Sequence, residues 1–217
     1  MHPLLRLFGD TIGGGVAKLE LKPLPRMMFV VHGTVTIDGR TLTDGEAWHG
    51  SAAVELAPGK EGVTLWRYEL APPGGGGSAA SGPGVTSREK LSAVLDTMPR
   101  GELLMRGDSV AFPPGGCAFP HRHAGPGIRC LIEGGIRIDA GGRSTSYGPG
   151  SPWFENGIEP VFAQAAADRQ SRFIRVMILP RDYLGKSSFQ FVNEEDKAKP
   201  RVQQYKVYVD VPIELPK

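Results

Sequence analysis

The chain has almost no cysteine: two in 217 residues, Cys117 and Cys130. Two thiols cannot build the multi-bridge framework of a small secreted domain. A reducing, cytoplasmic setting is the expectation, with a single bridge between neighbouring strands left open. No stretch of about 18 consecutive apolar residues occurs, so no membrane-spanning helix is expected. Residues 1–10 lack the long apolar core of a secretory signal, and none is expected there. Charge of one sign is lacking too: 25 Lys and Arg stand against 23 Asp and Glu. That balance gives no electrostatic reason to bind nucleic acid or an anionic membrane, and neither is an expected partner. The glycine runs are not followed by Lys-Ser or Lys-Thr, which removes the phosphate-cradling loop. Neither thiol has the charged neighbours or the histidine partner of a nucleophile.

What the chain has in quantity is glycine and proline, 30 and 19 residues. Both favour many turns between short strands over long helices. Apolar or alternating runs of strand length recur at 16–21, 27–31, 34–37, 54–56 and 63–70, and Asp38-Gly39 is a hairpin signal. More follow at 103–105, 109–112, 128–132, 136–138, 173–179, 189–192 and 202–211. The series predicts an all-β sandwich or barrel fold. Residues 72–84, with Gly74-Gly75-Gly76-Gly77-Ser78 at their centre, read as a flexible connector. Ser87–Asp96 is the best helix: Ser87 caps it, Leu91, Val94 and Leu95 share a face, and Pro99 closes it. The expected division is a first barrel over 1–82, a linker with one short helix over 83–100, and a second barrel over 101–217.

An internal repeat supports the two halves. Val31-His32-Gly33-Thr34-Val35-Thr36-Ile37-Asp38 parallels Ile132-Glu133-Gly134-Gly135-Ile136-Arg137-Ile138-Asp139. Later, and in the same order, Val63 to Pro72 parallels Ser171 to Pro180, each an apolar strand stopped by proline.

The most informative stretch is Pro120-His121-Arg122-His123, between Gly115-Gly116 and Gly125-Pro126-Gly127. On an extended segment residues i and i+2 point to one face, so the two imidazoles project together, as two ligands of a divalent metal would. A hydrogen-bonded strand couple is the plainer alternative. Gly115 to Gly135, with its His-x-His and its closing Leu131-Ile132-Glu133-Gly134, resembles the first motif of the cupin superfamily. The resemblance implies an all-β chain of two cupin barrels, double-stranded β-helices of the jelly-roll kind. It also implies a divalent metal cofactor (Fe, Mn, Zn or Ni) at the histidines. The family's glutamate would fall at Gly127 or Ile128, neither of which ligates. The second motif is similar to Gly148–Asn156, with Ser151 or Pro152 where a histidine is expected. Two of four expected ligands are therefore absent, and the first half has no His-x-His at all.

Glu155 is the acidic residue of that second stretch and would complete a set with His121 and His123. If Phe154 points inward, alternation sends Glu155 to solvent. Arg129 is expected opposite the apolar face of Ile128, Cys130 and Ile132, or else as a clamp for a substrate carboxylate. Tyr147, Trp153, Phe154 and Phe112 are candidates for the barrel mouth, and Arg129, Tyr147 and Trp153 for contacts to a small-molecule ligand. His49, without a partner histidine, reads as structural. Two classes of function stay open: a barrel that binds a small polar molecule, and a metal-dependent oxygenase, isomerase or lyase. The alternating strand over 202–211 is expected to lie on an edge and pair two copies in a homodimer.

Overall fold

The computed structural model describes residues 2–75 and 79–216. Gly76, Gly77 and Ser78, at the heart of the expected connector, lie outside the described residues. The chain divides into two compact units, Met1–Asp96 with Glu214–Lys217, and Thr97–Ile213. No α-helix is present among the described residues, and no helix is long and apolar enough to cross a membrane.

The first unit holds β1 (Leu4–Ile12), β2 (Leu19–Leu21), β3 (Arg26–Ile37), β4 (Arg40–Leu42), β5 (Ala47–Gly50), β6 (Val54–Ala71) and β7 (Val85–Val94). They form one antiparallel sheet in the order β4-β3-β6-β1-β7, with β2 on β6 and β5 on β3. Asp38 and Gly39, both at positive φ, make the turn that pairs Ile37 with Arg40, as the hairpin signal predicts.

The second unit holds β8 (Leu103–Phe112), β9 (Cys117–His123), β10 (Gly127–Glu133), β11 (Ile136–Ala140), β12 (Arg143–Tyr147), β13 (Pro152–Glu155), β14 (Val161–Ala165), β15 (Ser171–Pro180), β16 (Phe189–Phe191) and β17 (Gln204–Ile213). One sheet runs β13-β10-β15-β8-β17 and the other β12-β11-β14-β9-β16. Val110, Leu131, Trp153 and Phe173 of the first sheet and Ile136, Ile138, Val161 and Ala163 of the second share a single core. Phe112 belongs to that core, not to a barrel mouth.

The helix expected over Ser87–Asp96 is a strand, β7, paired along its length with β1. Leu91, Ala93 and Leu95 alternate, and burial follows that period of two: Ala93 and Leu95 are buried, whereas Val94 is half exposed. Pairing with a distant strand has overridden a helical local pattern. β7 lies beside β1 as β17 lies beside β8, at the end of each strand order.

The repeat seen in sequence is a structural one. Gly33 and Gly134 both have positive φ, and a Cβ on either would lie 2.3 Å from the Gly62 carbonyl or 2.2 Å from that of Gln170. Each lets its strand approach the backbone of a neighbouring long strand closely, at the middle of β6 and at the start of β15.

The interior of the first unit buries four charges. Arg67 makes a two-pronged pair with Asp10 at 2.6 and 3.3 Å, and its Nη1 lies 2.7 Å from Glu69. Glu69 also accepts from Arg26 Nε at 2.9 Å. All four side chains are 1% exposed, so the pairing is what makes their burial tolerable. Glu69→Ala, which removes the carboxylate between two buried guanidiniums, is expected to cost about 3–5 kcal/mol. Denaturant unfolding measures this, and a loss below about 1 kcal/mol would contradict it.

Candidate metal centre

His121 and His123 sit on β9, with the exposed Arg122 between them. Both are buried in the second unit, their ring centroids 5.0 Å apart, as the one-face geometry of a strand requires. β9 is held on both sides, by β14 and by β16. Phe189 of β16 stacks on the His121 ring at 4.2 Å. His121 Nδ1 lies 2.8 Å from the Phe119 carbonyl, which can only accept, so Nδ1 carries the proton and Nε2 the lone pair. His123 Nδ1 faces Ser188 Oγ at 3.3 Å, and its Nε2 faces Arg175 Nη1, a donor, at 3.3 Å. Both Nε2 atoms are therefore acceptors, oriented by a partner at Nδ1, as metal-binding imidazoles are.

Glu155 is not on the solvent side. Alternation on β13 runs through Trp153 and Glu155, both buried, and not through Phe154. The Trp153 indole donates to Glu155 Oε1 at 2.9 Å, and Arg129 Nη2 lies 2.7 Å from Oε2. That Oε2 accepts no well-aligned hydrogen bond and lies 3.8 Å from His123 Nε2. One ligand atom each from His121, His123 and Glu155 lies within 4.8 Å of the others. Ligands at about 2.0–2.2 Å from one ion lie about 3.0–3.6 Å apart in octahedral or tetrahedral geometry, so the set closes with side-chain shifts of about 1 Å.

The register explains how Glu155 arrives there. Gly127 pairs directly with Glu155, and Arg129 with Trp153. Directly paired residues share a face, so Glu155 projects on the side that a longer residue at 127 would use. Gly127 cannot carry one: a Cβ there would lie 2.5 Å from the Val176 carbonyl. The carboxylate that the motif lacks on β10 is present on the neighbouring strand.

Arg129 is wholly buried, since β10 is covered on both faces. Its Nη1 donates to the Gly127 carbonyl at 2.6 Å. Arg175, which the sequence reading passed over inside the run 173–179, pairs with Asp108 at 2.9 and 2.7 Å. A lone charge in phase with Phe173 and Met177 was the available signal. The cavity between these groups is small, about 20 Å³, enough for one water-sized species. Ile138, Trp153 and Glu155 also line a second pocket of about 230 Å³, together with Tyr147, which stacks on Trp153 at 4.8 Å. The Asn156 side chain accepts from the backbone N–H groups of Ile158 and Glu159 and so shapes a turn. Cys117 and Cys130 are free thiols.

Burial pushes the His121 imidazole down to about 4, with Glu155 and the Phe119 carbonyl pulling the other way and Arg129 and Arg175 reinforcing it. His123 is held well below its usual range, by burial first and then by Arg175 and Arg129. Both rings are therefore neutral at pH 7, the form that ligates. The donor set of two neutral imidazoles and a carboxylate fits a divalent first-row metal.

No family model matches the chain, and no curated protein does. Solved structures do. The chain is similar to a cupin 2 conserved barrel domain protein from Leptotrichia buccalis, at 13% identity and TM-score 0.50 over 82% of this chain and 84% of that one. It is similar to an oxalate decarboxylase formate complex from Lactobacillus farciminis, at 10% identity and TM-score 0.62 over 92% and 82%. It is also similar to a salicylate 1,2-dioxygenase from Pseudaminobacter salicylatoxidans, at 10% identity and TM-score 0.54 over 93% and 75%. The fold is that of the cupin superfamily. The match to the oxalate decarboxylase covers 92% of the chain and so takes in both all-β units, the two-barrel fold expected from the sequence.

Protonation links this site to stability. Between pH 6.5 and about 4 the unfolded chain holds a proton on His121 that the folded chain does not. Folded protein treated with a chelator is therefore expected to lose stability as pH falls through that window, by about 2 kcal/mol from His121 at pH 5 relative to pH 7. Denaturant unfolding at the two pH values measures it, and His121→Gln should reduce the difference by about that amount, leaving the contribution of His123.

Proposed function

We propose that the second unit binds a divalent metal through His121, His123 and Glu155 and holds a small anionic molecule beside it. The observation that carries this reading is the convergence of three ligand atoms from β9 and β13 within 4.8 Å, inside a cavity also lined by Arg129 and Arg175. A bound metal would supply a Lewis-acid centre. Around it, Arg129 carries the guanidinium fork that matches a carboxylate, Arg175 adds positive charge while paired with Asp108, and the Trp153 indole keeps Glu155 in place. The small cavity favours a ligand of few heavy atoms, with Arg129 and Trp153 as its direct contacts and Tyr147 stacked on Trp153. Carboxylic acids also give two of the structural neighbours their names, which supports the same ligand class here. A lyase or oxygenase acting on such an acid is the enzymatic form of this reading. β17, the last strand of its sheet order, supports the pairing of two copies, and light scattering of the native protein tests it.

Protein purified without a histidine tag is expected to bind about one manganese, iron, zinc or nickel ion per chain, measured by elemental analysis and calorimetric titration. His121→Ala and His123→Ala should each abolish binding, and Glu155→Gln should weaken it by about tenfold or more. Wild-type protein that binds none of these ions would sink the reading.

A further inference from the structure

The charges that face the inner cavity are already balanced. Arg175 is matched by Asp108 and Arg129 by Glu155, and the two histidines are neutral. Moreover, guanidiniums engage two of the three donor groups. Arg129 Nη2 lies 2.7 Å from Glu155 Oε2, and Arg175 Nη1 lies 3.3 Å from His123 Nε2. A metal ion would take both donor groups from the arginines and add two positive charges to a balanced, buried site. An arginine cannot relieve this by losing a proton. Asp108 is committed to Arg175 through both of its oxygens.

We propose that Arg129 couples metal to anion: it releases Glu155 to the metal only when a small carboxylate takes Glu155's place on its guanidinium. The planar fork of Arg129 suits a carboxylate, and because the cavity of about 20 Å³ holds only one water-sized species, metal and anion together require its lining side chains to shift, which the smallest carboxylate, formate, demands least. The carboxylate cancels one of the two charges that the metal brings and re-partners Arg129, so each strengthens the other by the same factor. The proposal rests on the metal reading above and adds the ligand class and the residue that links the two.

The test is calorimetric titration of chelator-stripped, full-length protein with manganese(II) in a carboxylate-free buffer. It is run with and without saturating sodium formate, with ionic strength held by sodium perchlorate. Manganese affinity is expected to rise about tenfold or more with formate, and formate affinity to rise by the same factor with manganese. Arg129→Met frees Glu155 from its competitor. It should bind manganese more tightly than wild type without formate and lose the formate effect. Arg129→Gln serves the same purpose if the methionine variant does not fold, and the wild-type comparison needs no variant. A purely structural Arg129 would give weaker manganese binding in both variants. Manganese binding that is indifferent to formate overturns the coupling and leaves the metal reading standing. No manganese binding under either condition overturns both.

Discussion

Each unit of this protein is built around an arginine buried on a central strand and matched two-pronged by an aspartate on the strand beside it. In the first unit the pair is Arg67 of β6 with Asp10 of β1, and in the second Arg175 of β15 with Asp108 of β8. A buried guanidinium without its carboxylate is costly, so the pair constrains every polar group near it. Once it is satisfied, a second arginine–carboxylate pair can sit alongside: Arg26–Glu69 in one unit, Arg129–Glu155 in the other. With charge balanced in this way, burial keeps His121 and His123 neutral without a compensating anion of their own.

The two units show what turns this arrangement into a site. Both place their long strands in the same order, β3-β6-β1-β7 and β10-β15-β8-β17. Along that correspondence Trp48 and Gly50 of β5 take the places of Trp153 and Glu155, since Met28 pairs with Trp48 as Arg129 pairs with Trp153. Leu21 faces Val54 where His121 faces Val161. Leucine and glycine thus stand where the second unit has a candidate metal ligand, and Arg26 occupies the place of Gly127. The first interior is closed by an ion network and apolar packing. The second is opened by a few substitutions on the same frame.

The sequence showed the strands, the repeat and the histidine pair because each depends on local periodicity. His121 and His123 share a face whatever their strand pairs with. Glu155 was nameable as a third ligand but its side stayed open, because alternation gives only relative phase: anchoring on Phe154 sends it outward, whereas anchoring on Trp153 brings it in. Arg129 defeated the same reasoning, since a strand covered on both faces has no polar side on which to put a charge. In Ser87–Asp96 the same apolar residues satisfied a helical and an alternating pattern, and the choice was made by β1, about 80 residues away. Arg175 and Asp108 needed the cross-strand register, which no single stretch of sequence displays.

The transfer of the carboxylate from β10 to β13 also changes how the site can move. The histidines stand on a strand gripped from both sides, by β14 and by β16, with Phe189 stacked on one ring and Ser188 beside the other. Glu155 ends a strand of four residues that pairs within its sheet only with β10. A short edge strand yields more easily than a central one, so the carboxylate is the donor whose displacement costs least. Its two anchors, the Trp153 indole and the Arg129 guanidinium, lie on paired residues of β13 and β10 and contact different oxygens. Glu155 can therefore give up Arg129 while Trp153 still holds Oε1. The same strand that restores the missing ligand makes it the adjustable one, beside two imidazoles that are fixed.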